Sequence, residues 1–167
     1  VRTEFDAAYE HARLRVEAMI TRVPDMADYR VEAMLYDHEG KPAIGAAVCS
    51  PVHADTPYRG ETKAAWAIIE QLVMAPRQWT AETPYLYQLV LALQDPDGVE
   101  IDFECCRVGF RQVEIRQGMV LLNGKRLVVR GVNRHEHHPV RGRALTREDM
   151  VRDIKLMKQL KIGRAHV

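Results

Sequence analysis

Apolar and polar side chains change places at nearly every step through the first part of the chain. Leu14, Val16, Ala18 and Ile20 alternate with Arg13, Arg15, Glu17 and Thr21. A period of two gives a strand one buried and one wet face. Tyr29, Val31, Ala33 and Leu35 repeat the pattern and predict a second strand over 29–36. Asp37 to Pro42 reads as a turn, Ala43 to Cys49 as the next strand, and 51–62, with its Pro, Gly, Thr and Asp, as a loop. Lys63 to Met74 has the Ala and Leu of a helix but the position of a strand, and strand is preferred. Tyr87–Leu93 and Val99–Val108 flank Asp95-Pro96-Asp97-Gly98, where Pro fixes φ and Gly tolerates positive φ, so a hairpin is expected. Short strands with no helix between them predict an antiparallel sandwich.

The pattern changes after Gly109-Phe110-Arg111. Val113–Ile115 and Met119–Leu122 are joined by Arg116-Gln117-Gly118, and Asn123-Gly124 is a two-residue hairpin signal. Arg126–Val132 is an almost unbroken apolar run, which predicts a strand buried on both faces, as in a parallel barrel. A polar loop over Asn133–Ala144 follows. Thr146 then stands as a helix cap, with Glu148 and Asp149 in the first turn. Met150, Ile154, Met157 and Leu160 or Lys161 make an amphipathic helix over Thr146–Lys161. Strand, loop and helix form one unit of a β/α fold.

The 167 residues suffice for one domain, or a small domain and part of another. The net charge of +1 provides no field for nucleic acid or an anionic membrane. No apolar run approaches the ~20 residues of a membrane span. The chain starts at Val1 and not at Met, so its native N-terminus is expected upstream. Cys49, Cys105 and Cys106 are odd in number, and two are neighbours on a strand, which point to opposite faces; free thiols in a reducing cytoplasm are expected.

The densest chemistry is Asn133-Arg134-His135-Glu136-His137-His138-Pro139, directly after the buried run. On a barrel that edge carries the catalytic loops. The zinc pattern H-E-x-x-H fails because Pro139 stands where its second His would be, and Pro139 with Gly142 forbids the helix it needs. A metal held by His135 and His137 with ligands from elsewhere, a purely structural histidine cluster and a sugar-hydroxyl site all remain open on the residues alone.

These residues, together with Leu122-Asn123-Gly124-Lys125, Arg130-Gly131-Val132 and Met150-Val151-Arg152-Asp153-Ile154, resemble the bacterial β-galactosidases of glycoside hydrolase family 2. The resemblance is strong over 76–160, where Trp79 and Pro84-Tyr85-Leu86-Tyr87 look like the signature closing the family's sandwich. It implies a mostly β chain: an immunoglobulin-like antiparallel β-sandwich over 1–111, then over 112–161 the first strand and helix of a truncated (β/α)8 barrel, with Trp79, Tyr85 and Leu86 near the joint. It implies retaining hydrolysis of terminal β-D-galactosides by two glutamates that lie on later strands, so no catalytic residue is expected here, and the fragment alone is expected to be inactive. His135 is implied to contact the galactose hydroxyls, with Asn133, Arg134, Glu136 and His138 shaping the loop. Magnesium is implied for the whole enzyme with ligands outside this chain, and no metal site within it. The implied partners are a β-galactoside and further copies of the enzyme, with no nucleic acid or membrane; the implied location is the cytoplasm. β-Glucuronidases resemble the same region but read Asn-Lys-His-Glu-Asp, so a β-glucuronidase-like member is one alternative. A non-catalytic binding or structural sandwich module and a small metalloprotein are the others. Ile162-Gly163-Arg164-Ala165-His166-Val167 departs from the family and resembles a frame translation of a sequencing adapter. Residues 162–167 are therefore expected to be a non-native tail, and His166 to have no function.

Overall fold

The computed structural model describes residues 1–21, 28–54, 64–128, 131–160, 162 and 164–166. Its strands run β1 (Arg2–Phe5), β2 (Ala12–Thr21), β3 (Arg30–Tyr36), β4 (Val48–Pro51), β5 (His53–Ala54), β6 (Ala64–Val73), β7 (Tyr87–Gln94) and β8 (Glu100–Val108). They form two antiparallel sheets, β1-β2-β6-β5 and β4-β3-β7-β8. The alternating apolar residues of both sheets meet between them. Leu14 and Val16 of β2, Val31, Ala33 and Leu35 of β3, Ala65, Ala67 and Ile69 of β6, and Leu89 of β7 are all buried. Ala18 and Ile20 are half-buried, where β2 runs past the end of β1. The ambiguous stretch 63–74 is a strand because every second residue of β6 faces this core; Lys63 lies outside the described residues.

Ala43–Cys49 differs from expectation. The strand begins only at Val48, because 43–46 bend: Ala43 N–H donates to the Leu35 carbonyl (2.8 Å), and Ile44 drops into the core from the bend. The small Ala and Gly side chains there offer a strand little to pack. The expected turn at Asp95 forms, with Gly98 at φ +81° and its N–H donating to the Asp95 carbonyl at 3.0 Å. The three cysteines are unpaired and exposed.

The sandwich closes on Phe110. Its ring is fully buried and meets Tyr87 edge-on at 5.1 Å, and its carbonyl accepts the Trp79 N–H at 2.8 Å. Arg111 stacks over the Trp79 ring at 4.8 Å. A Cβ on Gly109 would come to 3.1 Å from Trp79 Cδ1, so any larger residue there would press on the Trp79 and Leu86 side chains. Tyr85 packs on Tyr87 at 4.9 Å. Trp79, Tyr85 and Leu86 thus gather at the sandwich end, where they were expected.

Beyond the joint, β9 (Val113–Arg116), β10 (Met119–Leu122) and β11 (Lys125–Arg126) form a small antiparallel sheet. Its two turns, Gln117-Gly118 and Asn123-Gly124, have positive φ at both central residues, the geometry that matches strand twist. The buried Asn123 ties it to the sandwich: its Nδ2 donates to the Trp79 carbonyl (3.1 Å) and its Oδ1 accepts the Gln112 N–H (2.9 Å). The Gln112 side chain in turn accepts the Phe5 N–H at 2.8 Å.

The last elements are β12 (Gly131–Asn133), the helix α1 (Arg147–Gln159) and β13 (Arg164–His166). β12 and β13 pair in parallel with α1 between them, which makes a β–α–β unit. Residues 164–166, expected to belong to a non-native tail, occupy this second strand; Gly163 and Val167 lie outside the described residues. The expected single buried strand Arg126–Val132 is corrected. Arg126 ends the hairpin and Gly131 starts β12; Val129 and Arg130 lie outside the described residues, and Val128 is 61% exposed. An apolar run becomes a buried strand only when neighbours cover both faces. Among the described residues β12 has one partner of three residues, and α1 buries no side chain. The amphipathic stripe of α1 is likewise uncovered: Met150 and Met157 are half-buried, and Ile154 and Leu160 are exposed. No helix among the described residues is long and apolar enough to cross a membrane.

Phe110→Ala should therefore lower the unfolding free energy by about 3–5 kcal/mol, as for other emptied aromatic core positions. Phe103→Ala, on an exposed edge, should change it by less than ~0.5 kcal/mol. Urea unfolding of the two variants reads the contrast; equal losses would show that Phe110 does not carry the core.

Candidate functional site

The loop 134–145 leaves the carboxyl end of β12 and returns to the N-terminus of α1. β12 ends at Asn133, so Arg134 and His135 are the first residues of the loop. The Arg134 Nε and Nη2 both donate to Asp153 Oδ2 of α1, at 3.0 and 2.7 Å, and its side chain is only 13% exposed. Arg134 is thereby held against the helix. His135 is exposed, and its side chain makes no hydrogen bond with any described residue. The same holds for Glu136. Asn133 is exposed at the end of β12.

His138 does a different job. Its N–H donates to the Gly142 carbonyl and its carbonyl accepts the Gly142 N–H, at 2.6 and 2.9 Å. Its ring Nδ1 accepts the N–H groups of Val140 (3.1 Å) and Arg141 (3.2 Å). A nitrogen that accepts two donors carries no proton, so the neutral ring has its proton on Nε2. That nitrogen lies 3.9 Å from Asp149 Oδ1.

Asp149 gathers the other end of the loop. Its Oδ2 accepts the Thr146 N–H (2.9 Å), the Thr146 hydroxyl (3.0 Å) and an Arg141 guanidinium N–H. Thr146 Oγ1 accepts the Asp149 N–H in return at 3.3 Å, which completes a reciprocal cap. These donors, led by the Thr146 backbone N–H and joined by the Thr146 hydroxyl and Arg141, pull the Asp149 carboxyl from 3.8 to about 2.

Of the residues singled out in the sequence, Arg134 and His138 are thus brought against α1, while Asn133, His135 and Glu136 are not. Asp149 appeared in the sequence only as a helix-capping acid, and Asp153 only as part of a motif. Their spacing of four, which puts both carboxylates on one helix face, was the available signal. His137, His138 and Pro139 line an open hollow with Asp149 and Asp153, and His135 is not part of its wall. Among the described residues no three of His, Cys, Asp and Glu converge on a point where a metal would bind.

A sequence model described as glycosyl hydrolases family 2 matches residues 1–111, and one described as the TIM barrel domain of that family matches 113–165. The chain is 43% identical over 162 residues to a β-galactosidase of Vibrio cholerae, covering 95% of this chain and 15% of that protein. It is 41% identical over 160 residues to a β-galactosidase of Pseudoalteromonas haloplanktis, covering 93% of this chain and 14% of the relative. Among solved structures, a β-glucuronidase of Parabacteroides merdae superposes with a TM-score of 0.68 at 24% identity, over 98% of this chain and 20% of that one. The likeness to that structure is one of fold.

Asp149 gives the site a pH signature. A depressed folded value means that its ionised form supports the cap above 3.8 and that this support fades as pH falls toward about 2. A carboxyl-detected NMR titration should place the Asp149 midpoint near 2. Asp149→Asn should abolish the acid-dependent loosening of the 141–149 segment in that window. A midpoint at the ordinary aspartate value would show that the cap does not form.

Proposed function

This chain belongs to the glycosyl hydrolases of family 2, and on that footing we propose that the protein it is part of cleaves terminal β-D-galactosides with retention of configuration. What supports galactose is the set of β-galactosidases at 41–43% identity. The β-glucuronidase alternative rests on likeness of fold. The chain spans about 15% of the length of its curated relatives, so the activity is a property of a larger assembly.

The observation that carries a substrate role for this segment is the difference between two neighbours in the loop after β12. Arg134 is tied back to α1, and His135 is exposed without a hydrogen bond to any described residue. In a barrel the loops at the carboxyl ends of the strands line the substrate site, and 134–145 is such a loop. An imidazole there can donate to or accept from a sugar hydroxyl. Such bonds strengthen as the ring flattens toward an oxocarbenium-like state. Retaining hydrolysis needs two carboxyl groups about 5 Å apart. Glu136 is the sole acid of residues 133–145 and provides no such pair. The resemblance places the acid/base and the nucleophile on later strands of the barrel. The magnesium implied by the resemblance finds no three-donor cluster among the described residues, and no step here runs through it. Three exposed free thiols fit action in a reducing, cytoplasmic setting. A homo-oligomer is the assembly we propose for the whole enzyme.

His135→Ala in the complete enzyme should lower kcat and kcat/KM together by roughly 10²-fold, about 2.7 kcal/mol, with Tm nearly unchanged. A folded variant with unaltered kinetics on a chromogenic β-galactoside removes the sugar contact. The polypeptide 1–167 alone should not cleave that substrate above background after host galactosidase is removed, and turnover there would relocate the chemistry.

A further inference from the structure

The loop that carries His135 is held at both ends by two carboxylates on one face of α1. Asp153 takes the Arg134 guanidinium through two N–H groups, and Asp149, one turn earlier, takes Arg141 together with the Thr146 cap. The histidine run lies between the two arginines. The two anchors differ in kind. Asp149 completes a helix cap, which any helix start benefits from. Asp153 is in the second turn, and the polar bonds it makes with described residues run to the residue adjacent to His135. Arg134 is also the least exposed partner of any ion pair among the described residues. Its guanidinium is thus the most sheltered of the charges in these pairs, while Asp153 is 44% exposed.

We propose that Arg134 and Asp153 are positioning residues for substrate recognition: their ion pair holds Arg134 against α1 and thereby fixes the backbone from which His135, the next residue, reaches the sugar. Neither touches substrate. The constraint passes through a single planar peptide unit, which leaves few directions to residue 135 once residue 134 is pinned. This assignment rests on the galactoside-hydrolase reading. It deepens that reading by naming what aims the sugar contact. Without the pair, His135 still exists but samples several directions, and the interaction it makes at the transition state is diluted.

The test is a double-mutant cycle in the complete enzyme, read as kcat/KM on 4-nitrophenyl β-galactoside. Asp153→Asn keeps the side-chain shape and removes the charge. It should lower kcat/KM by roughly tenfold when His135 is present and by less than about twofold in a His135→Ala background, because residues acting through one contact are not additive. Arg134→Lys keeps the charge and loses the planar fork. It serves as the second variant and should show the same dependence on His135. A merely structural pair would cost the same factor in both backgrounds, which overturns the assignment, as does an Asp153→Asn enzyme of unchanged kcat/KM. A parent enzyme that cleaves no β-galactoside overturns the hydrolase reading and the assignment together. An active parent with additive substitutions overturns the assignment alone.

Discussion

A β-strand sends consecutive side chains to opposite sides, and nearly everything in this molecule depends on that alternation. Across the two large sheets it turns Leu14, Val16, Val31, Ala33, Leu35, Ala67 and Ile69 toward one shared core and their neighbours toward water. It separates Cys105 from Cys106, so adjacent thiols on β8 have no route to one another within the strand. β12 ends at Asn133, and there the rule gives way to polar bonds: Arg134 is held by Asp153 of α1, while the next residue, His135, is exposed.

The two halves of the chain are held by different forces. The sandwich is a hydrophobic structure, with apolar side chains buried at alternate positions of β2, β3 and β6 and Phe110 sealing its end. Burial of that kind contributes about 1.5–3 kcal/mol for each large side chain. The β12–α1–β13 unit has no such core among its described residues. What fixes it is polar and local: a capping box at Thr146, the Arg141–Asp149 contact, the Arg134–Asp153 pair and a three-residue parallel ladder. Caps and exposed ion pairs contribute of order 1 kcal/mol each. Such bonds cannot hold a helix by mass of contact, but they can set its orientation. The exposed Ile154 and Leu156 mark where apolar covering is still missing. The buried Asn123 ties the small β9–β10–β11 sheet to the sandwich, with hydrogen bonds to the Trp79 carbonyl and the Gln112 N–H.

How much was legible in the sequence follows from which forces are local. The strands β2, β3, β7 and β8, both glycine hairpins beyond the joint and the capped helix could be read from period and turn chemistry, because each signal lies within the element itself. Residues 64–73 were ambiguous on propensity and became a strand because β2 lies beside them along their full length, which is tertiary information. The apolar run 126–132 misled for the converse reason. Its composition describes the environment a barrel would provide, whereas Leu127 and Val128 lie outside the hairpin strand and Val128 is exposed. The family resemblance pointed to His135. Arg134 was named there only as a loop-shaping residue, and its partner Asp153 was not singled out, because an aspartate on the polar face of an amphipathic helix looks like any solvated charge until the arginine that reaches it is in place.

The histidine run shows why reading such a motif as one unit fails. A structural cluster and a sugar site were alternatives when the residues were considered together. In the fold they apply to different members. His138 gives Nδ1 to two backbone N–H groups and exchanges main-chain bonds with Gly142, so it is spent on building the turn. A metal would have to displace those donors to reach that nitrogen, and it would find Asp149 already engaged by Thr146 and Arg141. His137 faces the hollow beside α1. His135 makes no hydrogen bond with a described residue and stands next to Arg134, which α1 holds in place. A ligand-binding imidazole must meet both conditions, since a free side chain on a free backbone costs entropy to capture, and a fixed side chain has no valence left to offer. His135 meets them because the restraint is applied to its neighbour.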